Sequence, residues 1–358
     1  MFLKKDNKPF LIAGPCSAET EEQVMCVAHG LADAGIDLFR SGVWKPRTRP
    51  GVFEGKGSAA LPWLQRVKRE TGIKTTVEVA NARQVAKALE YEIDVLWIGA
   101  RSTANPFSVQ EIADALTGVD VPVMVKNPTN PDLELWIGAI ERVQSAGIKN
   151  IAAIHRGFST YSKNIFRNEP YWEIPIELRR RLPDIPLFCD NSHICGNRVD
   201  LFNVAQYALD LNYDGLMTET HCDPDHALSD AHQQITPETY KLLIRKLIVK
   251  REMIEDDDFR EYLDSVRHQI DDIDLEVLDL IAQRMKLSEE IGKHKKHNRI
   301  SILQLKRWNE ILEKAKEMGK ERGLSEDFIN HYLSAVHQES IARQSQVKDD
   351  PLPPERGT

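Results

Sequence analysis

The chain has 358 residues, 28% of them charged, and a net charge of −8 at pH 7. That is length for two domains, and the acidic balance argues against a general nucleic-acid or membrane surface. No apolar run spans a bilayer, the start MFLKKDNKPFLIAGPCS lacks an extended signal region, and the odd set Cys16, Cys26, Cys189, Cys195 and Cys222 has no framework spacing, so reduced thiols and a cytoplasmic location are expected.

Up to residue 250, short apolar runs alternate with helical stretches. In chain order the runs are FLIAG, LFRSGVW, KTTVEV, VLWIGA, VPVMVKN, NIAAIHRG, PLFCDNS and GLMTET. Their length and β-branched content predict strands rather than buried helices. Eight parallel strand–helix units over roughly 250 residues predict an α/β TIM barrel, (β/α)8, with a doubly wound open sheet as the alternative.

Basic residues stand at or just past several of these strands: Arg40 and Lys45, Arg101, Lys126 and Arg156. In a barrel the strand ends converge on one face. Taken singly, each reads as a surface charge. Five in register would repel one another unless phosphate or carboxylate groups compensate, and arginine forks suit both. After the second run, WKPRTRP adds Arg47, Arg49 and the Thr48 hydroxyl, with Pro46 and Pro50 stiffening the backbone.

Cys16 ends the first run, His193 follows the seventh, Glu219 lies in the eighth and Asp230 in the loop beyond. A thiolate, an imidazole and two carboxylates at one barrel mouth suit a divalent metal, with manganese, iron, cobalt and zinc all open. The spacing is not a zinc-finger pattern. His155, His221, His226 and His232 compete for the imidazole role.

The acidic run Glu255–Asp258 reads as a linker or helix start, and residues 251–261 are assigned to a linker. Residues 262–346 form a second, all-α domain of three helices. The first runs from Leu263 to Lys295 with apolar residues at three-and-four spacing. The second spans about Ile302 to Gly319, and the third follows the N-cap Ser325 to about Gln346. Residues 347–358, rich in Pro and charge, are expected to be disordered. Arg284 interrupts the long helix's apolar stripe, and Lys295, eleven residues on, faces almost the same way. Arg267 points roughly 100° away from Arg284. Ser340 and Gln344 share a face with Ile329, Leu333 and Val336, which suggests a small polar pocket closing an apolar stripe.

The ordered motifs IAGPCSAE, FRSGVWKPRTRP, GARS, VKNP, IHRG, DNSH and ETHCDPDHALSDAHQ resemble the type I DAHP (3-deoxy-D-arabino-heptulosonate 7-phosphate) synthase family over roughly residues 8–245. The resemblance implies a TIM barrel that condenses phosphoenolpyruvate with erythrose 4-phosphate using a divalent metal. It implies metal ligation by Cys16, His193, Glu219 and Asp230, and phosphoenolpyruvate binding by Arg40, Lys45, Arg101, Lys126 and Arg156. Lys45, Pro46, Arg47 and Thr48 would hold erythrose 4-phosphate. The similar 3-deoxy-octulosonate 8-phosphate synthases carry Lys-Ala-Asn-Arg where this chain has KPRT, which favours erythrose 4-phosphate over arabinose 5-phosphate. Lys45 is the first candidate for proton transfer, because crowding of its ammonium should lower its pKa, and His155 is the second.

VRHQIDDIDLEVLDLIAQRMKLSEEIGKHK and HQESIARQ resemble the all-helical chorismate mutase family. That resemblance implies an intertwined homodimer, or a higher homo-oligomer, with Arg284, Lys295, Gln304, Arg307, Ser340 and Gln344 around chorismate. Arg267 would enter the partner's pocket, and Lys295 and Gln344 would bond the breaking ether oxygen. The chain departs from the family at Gln304 and at Trp308, which cannot replace a carboxylate. The expectation is a bifunctional shikimate-pathway enzyme, with feedback by prephenate or chorismate through the helical domain. The rival for that domain is a non-catalytic dimerisation and effector-sensing module.

Overall fold

The computed structural model describes Phe2 and residues 8–45, 51–161, 165–250 and 256–347. The chain divides into two compact units, 1–252 and 253–358.

In the first unit the strands are β1 Phe10–Gly14, β2 Leu38–Arg40, β3 Lys74–Val79, β4 Val95–Ile98, β5 Val123–Lys126, β6 Ile151–His155, β7 Leu187–Asp190 and β8 Gly215–Glu219. They pair in parallel and in sequence order, and β8 returns to β1, with Phe10 opposite Gly215 and Gly14 opposite Glu219. The sheet is a closed barrel, so the open doubly wound alternative is excluded. The helices between strands are α1 Glu21–Leu31, α2 Leu61–Thr71, α3 Ala82–Glu90, α4 Ala100–Thr103, α5 Pro106–Leu116, α6 Leu133–Ser145, α7 Glu173–Arg181, α8 Asn191–Cys195 and α9 Leu201–Asp210, and α10 Pro237–Lys246 follows β8. Several begin where a short polar side chain can accept a free backbone N–H. Thr20, Asn81, Asp132 and Thr236 each accept from the residue three positions on.

Strand residues alternate between two apolar layers. Ile12, Leu38, Trp97, Met124, Ile154 and Met217 fill the barrel. Ala13, Phe39, Val125, Ala153 and Leu216 pack outward against the helices. In the inner layer Phe10 stacks on Phe188, and Phe2 meets both rings edge-on. Only Leu38–Arg40 of LFRSGVW is strand; the rest leaves the sheet as a loop, touching Ser17 through a bridge at Gly42. At the upper rim Gly14 fits tightly against β2. Its φ is +148°, and a Cβ there would lie 2.1 Å from the Arg40 carbonyl oxygen, so any side chain would push β1 from β2.

In the second unit, α11 Asp257–His297, α12 Leu305–Glu321 and α13 Glu326–Ser345 follow the expected pattern. Asp256 caps α11 by accepting from Phe259 N, so the second half of the assigned 251–261 linker is helix, while 251–255 and 348–358 lie outside the described residues. Helix α11 is 41 residues long, roughly 60 Å at 1.5 Å per residue. It packs on α13, as does α12. Met285, Ser288, Gly292, Ile329, Val336 and Ser340 are buried there. Ile270, Ile273, Val277 and Leu280 on the other part of α11 are exposed. Among the described residues no helix is long and apolar enough to cross a membrane.

Candidate active sites

The upper ends of the barrel strands deliver the chemistry. Lys45, Arg101, Lys126 and Arg156 line one cavity together with Glu78, Arg167, His193 and Asp230. Lys126 ends β5 and donates to Asp190 Oδ2 at 2.6 Å. Arg156 follows β6; its Nη1 reaches Asn168 Oδ1 at 2.6 Å, and its backbone N–H is fixed by Asn127 Oδ1 at 2.7 Å. Arg101 stands on α4 at the exposed rim. Arg40 does not line the cavity. It is 1% exposed beside the metal-donor set, its Nη2 3.1 Å from Glu219 Oε1 and its guanidinium 5.1 Å from the Trp97 ring centroid.

Burial pushes the Arg156 guanidinium down to about 10; Asp190 opposes this, while Arg167 and Arg101 add to it. Bringing anions into the cavity would relieve that crowding.

Cys16, Glu219 and Asp230 each offer a ligand atom, and these lie within 4.8 Å of one another. Cys16 Sγ is 3.2 Å from Asp230 Oδ2. Asp230 is aimed inward from a left-handed backbone, φ 48°. His193, on α8, places Nε2 3.8 Å from Glu219 Oε1 and Nδ1 3.0 Å from Asp190 Oδ1. Burial lowers the His193 pKa against the pull of Asp190 and Glu219. A neutral ring donating Nδ1–H to Asp190 turns a free Nε2 lone pair toward Glu219, the form a metal ligand needs. Glu219 Oε1 is buried and in no hydrogen bond, although Arg40 is near. That orphaned oxygen and the mixed sulfur, nitrogen and oxygen donors fit a borderline divalent ion.

Two expectations about proton transfer are corrected. Burial alone would depress Lys45, but Cys16 and Glu219 outweigh it and hold the ammonium above its ordinary value. Its Nζ donates to Cys16 O at 2.8 Å and lies 3.0 Å from Cys16 Sγ. The expected lowering of the Lys45 pKa is therefore not found. His155 is wholly buried and faces away from the cavity. On β6, Ala152 and Ile154 point into the barrel, so His155 points to the helix layer. Its Nε2 meets Pro170 O at 2.8 Å and its Nδ1 meets Tyr213 Oη at 2.9 Å, and burial pulls its pKa to about 3. Pro46, Arg47 and Thr48 lie outside the described residues.

Sequence reasoning missed Asp190 and Arg167. Asp190 ends β7; burial would raise its pKa, but His193 and Lys126 hold it well below the usual carboxylate range. Its signal was its place three residues before His193. Arg167 bonds Asp230 Oδ1 at 3.1 Å and Gln233 Oε1 at 2.7 Å. It comes from a long loop, so no strand-end position marked it.

In the helical unit, Arg284 Nη1 donates to Ser340 Oγ, and Lys295 Nζ donates to Ile302 O at 2.6 Å. Gln344 packs against Gly292, and its Oε1 is buried without a partner. Arg307 is exposed and pairs with Glu310 at 3.3 Å. Gln304 stands at the start of α12 with no capping bond from its side chain. Arg267 stays on the surface, paired with Asp264 at 3.1 Å. Trp308 stacks on His337, ring centroids 4.1 Å apart.

The model of the DAHP synthetase I family matches residues 2–254, and that of chorismate mutase type II matches residues 266–345. The phospho-2-dehydro-3-deoxyheptonate aldolase of Thermotoga maritima is 30% identical over 237 residues, 66% of this chain and 68% of that protein. The 2-dehydro-3-deoxyphosphooctonate aldolase of Wolinella succinogenes is 25% identical over 271 residues, 68% of this chain and 99% of that one. The crystal structure of the Thermotoga maritima DAHP synthase superposes with a TM-score of 0.60 at 28% identity, covering 68% of this chain and 69% of that chain.

Proposed function

The chain belongs to the DAHP synthetase I family and carries a chorismate mutase domain, a pairing that makes it a bifunctional enzyme of the shikimate pathway; from that premise we propose how its residues divide the work. The barrel joins phosphoenolpyruvate, D-erythrose 4-phosphate and water into DAHP and phosphate. Arg101, Lys126 and Arg156, with Arg40 behind them, hold the phosphate and carboxylate of phosphoenolpyruvate, neutralising two anions that would otherwise repel. Lys45 donates a proton at the aldehyde oxygen. Asp190 keeps Lys126 and His193 in place. A divalent ion held by Cys16, His193, Glu219 and Asp230 supplies Lewis acidity to the aldehyde when bound. Lys45 with Pro46, Arg47 and Thr48 takes the erythrose phosphate.

The observation that carries this reading is the shared cavity: four cations from separate strand ends open onto His193 and Asp230. The test is a condensation assay after chelation, with manganese, iron, cobalt and zinc returned singly and erythrose and arabinose phosphates compared. Full activity in the chelated enzyme, or a preference for arabinose 5-phosphate, overturns it.

In the helical domain, Arg284 and Arg307 clamp the carboxylates of chorismate, Ser340 bonds one of them, and Gln304 meets a hydroxyl. Lys295 and Gln344 bond the ether oxygen as its C–O bond breaks, so fixed charge favours the polarised transition state on the way to prephenate. The exposed Ile270, Ile273, Val277 and Leu280 support a homodimer along α11, which would carry Arg267 into the partner's pocket. Prephenate or chorismate bound there is the feedback signal to the barrel; equal condensation rates with and without saturating prephenate remove that signal. Trp308, where a carboxylate would serve catalysis, favours the rival reading of a non-catalytic sensing module. A chorismate turnover assay on the full chain separates the two.

A further inference from the structure

One polar ring of the helical unit has no part in the roles assigned above. His337 lies on α13 one turn before Ser340 and two before Gln344, so at about 100° per residue the three share a face. Among the described residues its buried Nε2 has no hydrogen-bond partner, and neither does Gln344 Oε1. Arg284 and Lys295 stand close enough, behind the larger effect of burial, to press its pKa down, so the ring is neutral at neutral pH. The ring is not loose. It stacks on Trp308 of α12 at 4.1 Å with planes 19° apart. Arg284 and Lys295 meanwhile donate to Ser340 Oγ and Ile302 O, both neutral acceptors that leave these cations without an anion in any contact described for them.

We propose that His337 is a further ligand-contacting residue of this pocket. Its Nε2–H donates to an oxygen of a compact dicarboxylate drawn in by Arg284 and Lys295, and Trp308 is the positioning residue that holds the imidazole at that angle. Arg284 sets the ligand class, since a carboxylate satisfies a guanidinium in charge and geometry, while the Lys295 ammonium adds attraction for the same anion. The neutral ring sets orientation within that class, because a donor without charge adds direction rather than attraction. This rests on the mutase reading of the domain, so the substrate is chorismate and the product prephenate.

The test uses the full chain and two probes: chorismate turnover, and prephenate binding by calorimetry, which needs no turnover. His337→Phe keeps the stack on Trp308 and removes the ring nitrogens. It should raise the chorismate KM and the prephenate Kd roughly tenfold, with kcat moved less, as for the loss of one directed hydrogen bond. His337→Gln returns an N–H donor and should recover part of the loss. Trp308→Leu frees the ring and should weaken binding to a smaller extent, with melting temperature reporting on the fold of each variant. Wild-type affinity in His337→Phe overturns the proposal. Lys295→Ala separates the two levels of inference. If Lys295→Ala abolishes binding while His337→Phe is silent, only the role of His337 fails. If neither variant alters binding, or the native chain neither binds prephenate nor turns over chorismate, the mutase reading fails with it.

Discussion

Asp190 holds two groups of the barrel site at once, Lys126 Nζ at 2.6 Å and His193 Nδ1 at 3.0 Å. Asp190→Asn keeps the shape and removes the charge. The buried ammonium is then left without its counterion, a loss of about 3–5 kcal/mol in comparable cases. The imidazole also loses its orienting acceptor, which typically weakens metal affinity about 10–100-fold. We expect a lower melting temperature, a higher phosphoenolpyruvate KM and weaker manganese binding in a chelator-competition titration; unaltered manganese affinity would show that His193 needs no such hold. His155 makes a pH prediction of definite sign. Unfolded, it titrates near its ordinary value of 6.5; folded, at about 3. Between those limits the unfolded chain binds the extra proton, so stability rises with pH through this window and falls as pH drops below about 6.5, by at most about 1.4 kcal/mol per unit. His155→Phe strands the Tyr213 hydroxyl and lowers stability near neutrality, but it also removes this slope. Urea midpoints at about pH 8 and about pH 5 should therefore show the gap to the native chain narrowing in acid; a constant gap would mean that the buried ring titrates normally.

Helix α11 packs tightly on α13 at Gly292. A Cβ there would lie 2.9 Å from Gln344 Cα. In an isolated helix, Gly→Ala gains about 1 kcal/mol. Here the new methyl meets backbone, which cannot rotate aside, so the helices must part and the clash decides the sign. Gly292→Ala should lower mutase kcat/KM about tenfold or more through displacement of Gln344, measured with chorismate; full activity would show that the contact is soft. Much of this level was legible beforehand. Eight apolar runs gave eight strands, and the three-and-four spacing gave α11. Cys16, Lys126 and Glu219 could be placed because each stands within two residues of a strand end. Loops were less legible. The inward turn of Asp230 depends on a left-handed backbone, and Arg167 reaches the cavity from a segment without periodicity. His155 was misassigned because a motif names a residue without giving its register. One step along β6 separates the cavity-lining Arg156 from the helix-facing His155.

At the scale of the whole molecule, α11 spans far more length than its own unit covers. Ile270, Ile273, Val277 and Leu280 meet solvent in a single copy, an arrangement that favours association through the same patch on two chains. Ile273→Glu would place charge in that patch. It should shift the chain toward monomer in sedimentation velocity and remove mutase turnover; an intact dimer would move the contact elsewhere. Arg267 sits on this helix, exposed and paired locally with Asp264. If each pocket borrows Arg267 from the other chain, Arg267→Ala and Lys295→Ala are individually inert yet mutually curable. A mixed pair has one pocket with both lesions and one with neither. Random re-pairing of equal amounts should then revive about a quarter of native turnover, whereas an enzyme whose pockets are each built from one chain would stay dead however its defective copies were shuffled.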